Sequence, residues 1–188
     1  CKKYIDDKRI EFIKLKNNRG PSMVRNVMLL KGDGDYITFM DQDDKRDSNM
    51  FNDCINYLSN NKELGMVHTN VMAVDSNNKE LIDRFKDENN ERDSLFSRHL
   101  SEDELNHLIF CNLLIRMGSF IVTRKSFLEV KGFPHNTDGS EEIIFFDTYS
   151  QKYKIGHMSK QYYIRRMHDN NLVKTSASKR EIGKLKAM

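Results

Sequence analysis

The segment GDYITFMDQDD, residues 34–44, joins a short apolar run to a cluster of acids. The apolar run, residues 36–40, is framed by Gly34 and by polar residues, which predicts a strand buried on both faces of a sheet. Asp41, Asp43 and Asp44 follow this run directly. They would therefore lie at the carboxyl end of a central strand, which is where open α/β sheets bind ligands.

Acids at the edge of a core destabilise the fold unless something pairs them. The partner that we expect is a hard divalent cation, Mg²⁺ or Mn²⁺, which takes oxygen ligands and often bridges to a substrate's phosphates. A simpler interpretation is the solvated first turn of a helix, where Asp is favoured. For Asp44 a helix cap is preferred over a ligand. A calcium loop is excluded, because Lys45 and Arg46 stand where a further ligand and the turn glycine should be.

The composition indicates a single polar globular domain, residues 1–188. Of the 188 residues, 38% are hydrophobic and 31% charged, and the net charge of +3 is too small to make nucleic acid the main partner. Cys1, Cys54 and Cys111 are odd in number and lack CxxC spacing, which argues against disulfides or structural zinc and for a reducing compartment. Cys54 and Cys111 are interpreted as small core residues.

Hydrophobic periodicity and turn residues predict an alternation of strands and helices. Strands are expected at residues 10–15, 36–40, 66–74, 118–122, 153–157 and 162–166. Helices are expected from Ser22 to about Leu30, from Ser48, from Ser101, over residues 125–130 and from Glu141. The first strand, helix and strand predict a parallel βαβ unit. Residues 79–98 have few apolar positions and are expected to form an exposed loop or lid.

The basic tail, residues 174–188, is interpreted either as a frayed terminus or as a surface helix in peripheral contact with an anionic membrane. No apolar run approaches membrane-spanning length, and no signal peptide opens the chain. The expected location is therefore the cytoplasm, or the inner face of the cell membrane.

Five motifs stand in a specific order along the chain. They are Asn18-x-Gly20 with Arg25-Asn26, the segment 34–44, Gly118-Ser119 with the RKSF and GF motifs that follow it, Glu141-Glu142, and Arg166-x-His168-x-x-Asn171. This order resembles the family-2 glycosyltransferases, nucleotide-sugar enzymes with the GT-A fold. The resemblance implies an α/β, Rossmann-like domain with a mixed, mainly parallel central sheet and helices on both faces. It also implies an N-terminally incomplete domain that lacks the family's first one or two βα units.

The same resemblance assigns roles to the site residues. Asp43, Asp41 and His168 would hold Mn²⁺ or Mg²⁺. Glu142 would be the general base, with Glu141 as the less favoured candidate. Glu142 stands where the family usually has Asp, so the carboxylate reaches further by about 1.5 Å. A useful base needs a pKa nearer the working pH than that of an exposed Glu, so we expect Glu142 to be partly buried.

The remaining assignments concern the substrate. The residues expected to contact the nucleotide or the sugar are Arg19, Arg25, Asp41, Gln42, Gly118 and Arg166. Arg19 could equally be a solvated loop residue, and Tyr162 and Tyr163 are interpreted as sheet packing. The expected partners are a nucleoside-diphosphate sugar, with a UDP-sugar as first choice, and a glycan or lipid-linked acceptor.

These assignments define an inverting, metal-dependent glycosyltransferase that extends a surface or extracellular glycan. A nucleotidyltransferase-like enzyme is a weaker alternative, because it would need a glycine-rich, basic loop near the start of the chain. A non-catalytic nucleotide-binding or partner-binding scaffold is the alternative from another class. It would follow from absent first strands or from a Glu142 that cannot act.

Overall fold

The computed structural model describes residue 4 and residues 6–98, 101, 115–135 and 141–168. The predicted helix from Ser101 and the basic tail lie outside these residues, as do Cys1, Cys111 and most of the loop before Glu141. The described elements, in chain order, are α1 (Gly20–Lys31), β1 (Tyr36–Ile37), β2 (Lys45–Arg46), α2 (Met50–Asn60), β3 (Leu64–Val74), α3 (Lys86–Phe96), β4 (Phe120–Thr123), α4 (Arg124–Glu129), α5 (Glu141–Ser150) and β5 (Lys154–Arg166).

The described strands form one mixed sheet in the order β1-β4-β3-β5-β2. The β3–β5 pair is parallel, and the β1–β4, β3–β4 and β2–β5 pairs are antiparallel. The α/β class is thus confirmed, but the predicted parallel majority is not found among the described strands. The two short strands predicted at 153–157 and 162–166 are one long strand, β5, whose pairing with β3 contains register shifts.

Residues 10–15 form neither a helix nor a strand of the sheet. Ile13 and Leu15 face α1 and line a small groove of about 100 Å³ against it, while Phe12 is 66% exposed. The strand predicted at residues 10–15 is therefore wrong: among the described residues this segment packs on a helix and pairs with no strand. Because β1 pairs with β4 instead, the predicted parallel βαβ unit is wrong. The prediction of a central, fully buried strand at residues 36–40 is wrong as well, because only residues 36–37 form a strand, which is half-buried and lies at the edge of the described sheet.

Helix α1 buries few of the apolar residues in its sequence. Its buried residues are Ser22, Arg25 and Leu29, whereas the apolar Leu30 is 75% exposed. Polar contacts orient the helix: Asn26 donates to the carbonyl of Phe133 at 2.8 Å and accepts from its backbone N–H at 2.9 Å. These two hydrogen bonds attach α1 to the loop after α4.

The two faces of the sheet carry separate hydrophobic clusters, as strand alternation requires. Helices α4 and α5 cover one face, where Met66, Phe120 and Val122 meet a group of aromatic rings. Helix α2 covers the other face with Met50, Cys54 and Leu58, packed on Val67, Ile121 and Tyr162. Helices on both faces and a core position for Cys54 are therefore confirmed. Helix α2 begins two residues after the predicted cap, Ser48.

The predicted loop or lid at 79–98 is wrong, because most of it is helix α3, which packs on β3 and β5. The buried side chain of Asn89 pairs with the backbone of Val71, as a neighbouring strand would. It accepts from the Val71 N–H at 3.1 Å and donates to the Val71 carbonyl at 2.8 Å. These groups lie beside a register shift between Asn70 and Val71. Pairing of polar side chains with backbone, which hydrophobic periodicity does not detect, attaches α3 to the sheet.

A buried pair of histidines lies where α3 meets β3 and β5. His68 is fully buried, and its ring packs on Phe96 at 4.8 Å and on His157 at 4.6 Å. His157 contacts Asp93 at 2.7 Å, while neither ring nitrogen of His68 has a hydrogen-bond partner within the described residues. Burial, reinforced by the charges of His157 and Arg92, lowers the pKa of His68 well below 6.5. Burial likewise lowers the pKa of His157, against the contact with Asp93.

We expect acid to destabilise the fold through these two histidines. Below pH 6.5 the His68 side chain is protonated in the unfolded chain but stays neutral in the folded protein. The free energy of unfolding is therefore highest above pH 6.5 and decreases as the pH falls below it. For each pH unit between the folded and unfolded pKa values, the free energy of unfolding falls by about 1.4 kcal/mol per histidine. Urea unfolding between pH 7 and 5 should show a smaller pH slope in His68→Leu than in the native protein. The exposed His135→Leu is the control, and an unchanged slope in His68→Leu would contradict the expectation.

None of the helices in the described part of the chain is long and apolar enough to cross a membrane.

Candidate active site

An open cleft of about 830 Å³ lies where α1, the segment after β1, the start of α5 and the end of β5 meet. Its lining mixes acids, arginines and a few apolar side chains. The charged and amide residues that line it are Asn18, Arg25, Asp41, Gln42, Asp43, Asp44, Arg116, Glu141, Glu142, Arg165 and His168. Seven of the predicted site residues thus share one cleft although they lie far apart in sequence: Arg25, Asp41, Gln42, Asp43, Glu141, Glu142 and His168.

The segment 41–44, here called the acidic loop, is attached to the sheet on both sides. Phe39 is buried in the aromatic cluster, and Arg46 donates to the carbonyls of Phe39 and Gly118. Asp44 is also buried, and it accepts from the Tyr163 hydroxyl and from the Arg166 backbone N–H at 2.8 Å. The predicted helix cap at Asp44 is therefore wrong, since this side chain anchors the loop to β5. Burial raises the pKa of the Asp44 carboxyl, against the hydrogen bond from Tyr163.

This anchoring leaves Asp41, Gln42 and Asp43 at the cleft. The carboxylate of Asp43 contacts the His168 ring at 2.8 Å, which brings together two residues 125 positions apart. A carboxylate suits Mn²⁺ or Mg²⁺, whereas an imidazole is more often a ligand of Zn²⁺, Cu²⁺, Fe²⁺ or Ni²⁺. No group of three His, Cys, Asp or Glu side chains converges in residues 6–98, 115–135 and 141–168. The metal site therefore stays a prediction from the family motifs.

Arg25 occupies the centre of the acidic side of the cleft. Its guanidinium lies 4.0 Å from Asp41, 4.0 Å from Glu141 and 3.8 Å from Glu142, and stacks over the ring of Phe133 at 5.4 Å. These distances are in ion-pair range but beyond hydrogen bonding. Arg25 is 9% exposed. One buried cation thus links the acidic loop to the start of α5 by charge.

Glu141 and Glu142 begin α5, where the helix dipole favours acids. Glu141 is buried, whereas the side chain of Glu142 is 27% exposed and reaches the cleft. The expected partial burial of Glu142 is therefore observed. Two carboxylates with different access to solvent are available at this end of the cleft.

Three predicted site residues do not line the cleft. Arg19 is an exposed residue just before α1. A Cβ on Gly118 would lie 2.0 Å from the Tyr163 ring, so this glycine permits close packing of β5. The side chain of Arg166 donates to the carbonyl of Asp43 and to the turn after β3. Their assignment to substrate therefore stays a prediction from the family motifs.

Two cleft residues were missed by sequence reasoning, Arg116 and Arg165. Alternation along β5 places Arg165 on the same face as Tyr163, but only the contact of Tyr163 with Asp44 shows that this face borders the cleft. Arg116 carries no comparable signal. It precedes the tight turn into β4, in which Ser119 donates to the Arg116 carbonyl at 2.9 Å.

Comparisons with known proteins identify the class of protein that this fold and cleft belong to. Residues 1–131 match the profile of glycosyl transferase family 2, and the chain belongs to that family. An uncharacterized glycosyltransferase of Haemophilus influenzae is 38% identical over 69 residues, which are 37% of this chain and 27% of that protein. An uncharacterized glycosyltransferase of Rickettsia bellii is 28% identical over 171 residues, which are 91% of this chain and 22% of that protein.

Solved structures of S. aureus TarS share the fold. TarS 1–349 in complex with UDP-GlcNAc matches with a TM-score of 0.66 at 18% identity, covering 90% of this chain and 46% of TarS 1–349. The crystal structure of S. aureus TarS matches with a TM-score of 0.64 at 20% identity, covering 88% and 28%. The GT-A fold is thus confirmed. The chain spans about a quarter of the two curated relatives and less than half of these TarS chains.

Proposed function

We propose that the protein is an inverting glycosyltransferase that moves a sugar from a nucleoside-diphosphate sugar to a hydroxyl group of an acceptor. Family membership supports the reaction class. The TarS structure in complex with UDP-GlcNAc supports a UDP-sugar as the donor. The acceptor class that we propose is a glycan or lipid-linked glycan of the cell surface. The observation that carries the proposal is the single cleft that holds the Asp43–His168 pair together with Glu142.

Breaking the bond between sugar and diphosphate places negative charge on the leaving diphosphate. Asp43 and His168, with Asp41 nearby, are the residues that would hold Mn²⁺ or Mg²⁺. When bound, the cation supplies positive charge that stabilises the leaving group. The carboxylate of Asp43 is already oriented by its contact with His168, so little side-chain entropy remains to be lost on binding.

Glu142 acts at the other end of the cleft. Its carboxylate takes the proton from the acceptor hydroxyl while the hydroxyl oxygen attacks the anomeric carbon. Attack from the face opposite the diphosphate inverts the anomeric centre in one displacement. Arg25, 3.8 Å from Glu142 and 4.0 Å from Asp41, holds both carboxylates near one buried charge and so limits their separation across the cleft.

Ligand-induced stabilisation tests the proposal directly. We expect UDP together with Mn²⁺ to raise the melting temperature of the protein, and UDP with EDTA to raise it less. Incubation with UDP-GlcNAc should then release UDP slowly to water, and the first sugar product, followed by NMR, should have the anomeric configuration opposite to that of the donor. Absence of any response at millimolar UDP, with and without Mn²⁺, would instead support a non-catalytic scaffold.

A further inference from the structure

Two arginines on the sheet side of the cleft, Arg116 and Arg165, have no part in the chemistry above. The other two basic side chains that line the cleft, Arg25 and His168, already contact acids of the cleft. Arg25 lies among three carboxylates, and His168 contacts Asp43. Arg116 and Arg165 enter the same cleft from the turn before β4 and from β5.

The pleat of β5 directs Arg165 and Arg166 to opposite sides. Arg165 pairs with Ala73 and Arg166 with Val74 in the parallel ladder with β3. Alternation places Arg165 on the face of Tyr163, which borders the cleft. The side chain of Arg166 does not line the cleft and donates to the backbone carbonyls of Asp43 at 3.0 Å and of Asp75 and Ser76 at 3.3 Å. Arg165 therefore lines the cleft, whereas the Arg166 side chain binds backbone carbonyls.

Arg165 is half-buried at the cleft, and no described residue forms an ion pair or side-chain hydrogen bond with its guanidinium. A partly desolvated guanidinium without a counter-charge is unfavourable in the free protein, and its five donors match the geometry of phosphate and carboxylate oxygens. Such a group favours an anionic ligand at this wall of the cleft.

Arg116 is held in place from outside the cleft. Its Nη2 donates to Glu88 of α3 at 2.5 Å, and its guanidinium lies over the Phe85 ring at 5.6 Å. Arg92 contacts the same Glu88 oxygen at 3.2 Å and so fixes the acid in turn. The Nη1 and Nε atoms of Arg116 make no hydrogen bond to the described residues, and Nε is buried. The Arg116 side chain is thus held by Glu88 while its Nη1 and Nε donors have no hydrogen-bond partner among the described residues.

We propose that Arg116 and Arg165 form an anion subsite on the sheet wall of the cleft, which binds a phosphate or carboxylate group of a substrate. The role of the subsite in a reaction rests on the proposed glycosyltransferase function, whereas the binding of an anion does not depend on it. The anion has two possible sources, the diphosphate of the donor or an acidic group carried by the acceptor. The subsite gives α3 a function as well, because the Glu88 contact orients one of the two guanidinium groups.

The test measures binding of two probes, UDP with Mn²⁺ and glycerol 3-phosphate alone, by calorimetry and thermal shift. The variants are Arg165→Gln, Arg116→Gln and the charge-retaining Arg165→Lys, with Lys154→Gln at the exposed start of β5 as the matched control. Loss of a charge-assisted hydrogen bond should weaken the affected probe about tenfold or more. Arg165→Lys should recover part of the loss, and Lys154→Gln should bind as the native protein does.

The outcome also identifies the source of the anion. Weaker UDP binding in Arg165→Gln, at an unchanged melting temperature without ligand, assigns the subsite to the donor. Unchanged UDP binding with loss of glycerol 3-phosphate binding assigns it to an acidic acceptor. Unchanged affinity for both probes, or a native protein that binds neither, overturns the proposal. A native protein that binds glycerol 3-phosphate through Arg165 but ignores UDP would retain the subsite while refuting the glycosyltransferase proposal.

Discussion

Replacing Glu142 with glutamine is expected to lower turnover by about 10²–10⁴-fold while UDP-sugar binding stays intact. The amide keeps the size of the side chain and its position at the start of α5, but it cannot accept the proton of the acceptor hydroxyl. The acid lines the cleft and is only partly buried, so the change should disturb neither the core nor the Asp43–His168 contact. UDP release from UDP-GlcNAc measures the rate, and calorimetry measures the binding.

Two companion variants make the Glu142 result decisive. Asp147→Asn removes an acid from the same helix outside the cleft, where it accepts from Gln151, and it should turn over like the native protein. Glu141→Gln tests the less favoured base, whose side chain is buried beside Arg25. Full turnover in Glu142→Gln would refute the base assignment, and a large loss in Glu141→Gln alone would transfer the role to Glu141.

Replacing Asp43 with asparagine should remove the metal-dependent part of ligand stabilisation. At a UDP and Mn²⁺ concentration about 100 times the dissociation constant, the native protein should gain about 2.7 kcal/mol, or about 5–10 °C in melting temperature. Asparagine lacks the negative charge that a hard cation favours in its ligands, and it replaces the carboxylate that contacts His168. The Mn²⁺-dependent shift should therefore fall to about 1 °C or less in Asp43→Asn, measured by thermal shift with and without EDTA.

Asp47→Asn is the matched control for Asp43. The Asp47 side chain accepts from the Asn49 N–H at 2.8 Å just before α2, and an amide oxygen can do the same. This variant should show the full Mn²⁺-dependent shift. A shift that persists in Asp43→Asn and is lost in Asp41→Asn would assign the cation to the first acid of the loop.

Much of the architecture was predictable because it depends on local pattern. Residues 66–74 and 118–122 are continuous apolar runs, and β3 and β4 form there because both of their faces meet core. Thr123 before α4 and the glycine after it, Gly132 with φ +72°, mark the limits of that segment. The order of the motifs also indicated which acids and which histidine would share a site.

Non-local pairing accounts for what was predicted wrongly. The apolar residues of the segment 10–15 do not indicate whether a strand or a helix will pack against them, and here α1 does so. The polar composition of α3 suggested an exposed segment, yet Asn89 and Arg92 are buried by contacts with a strand and with Glu88. Asp44 looked like a cap because its true partner, Tyr163, lies 119 residues away.

The chain's own order of residues was enough to specify the α/β class, the family and the set of acids around residues 41–43 and 141–142, because these follow from short-range periodicity and from motif spacing. Tertiary contacts alone determined which arginine faces the cleft, that Asp44 supports the acidic loop, and that Arg25 lies among three carboxylates. The physical reason is that a charged side chain is placed by the partner that offsets its desolvation, and that partner is usually distant in sequence.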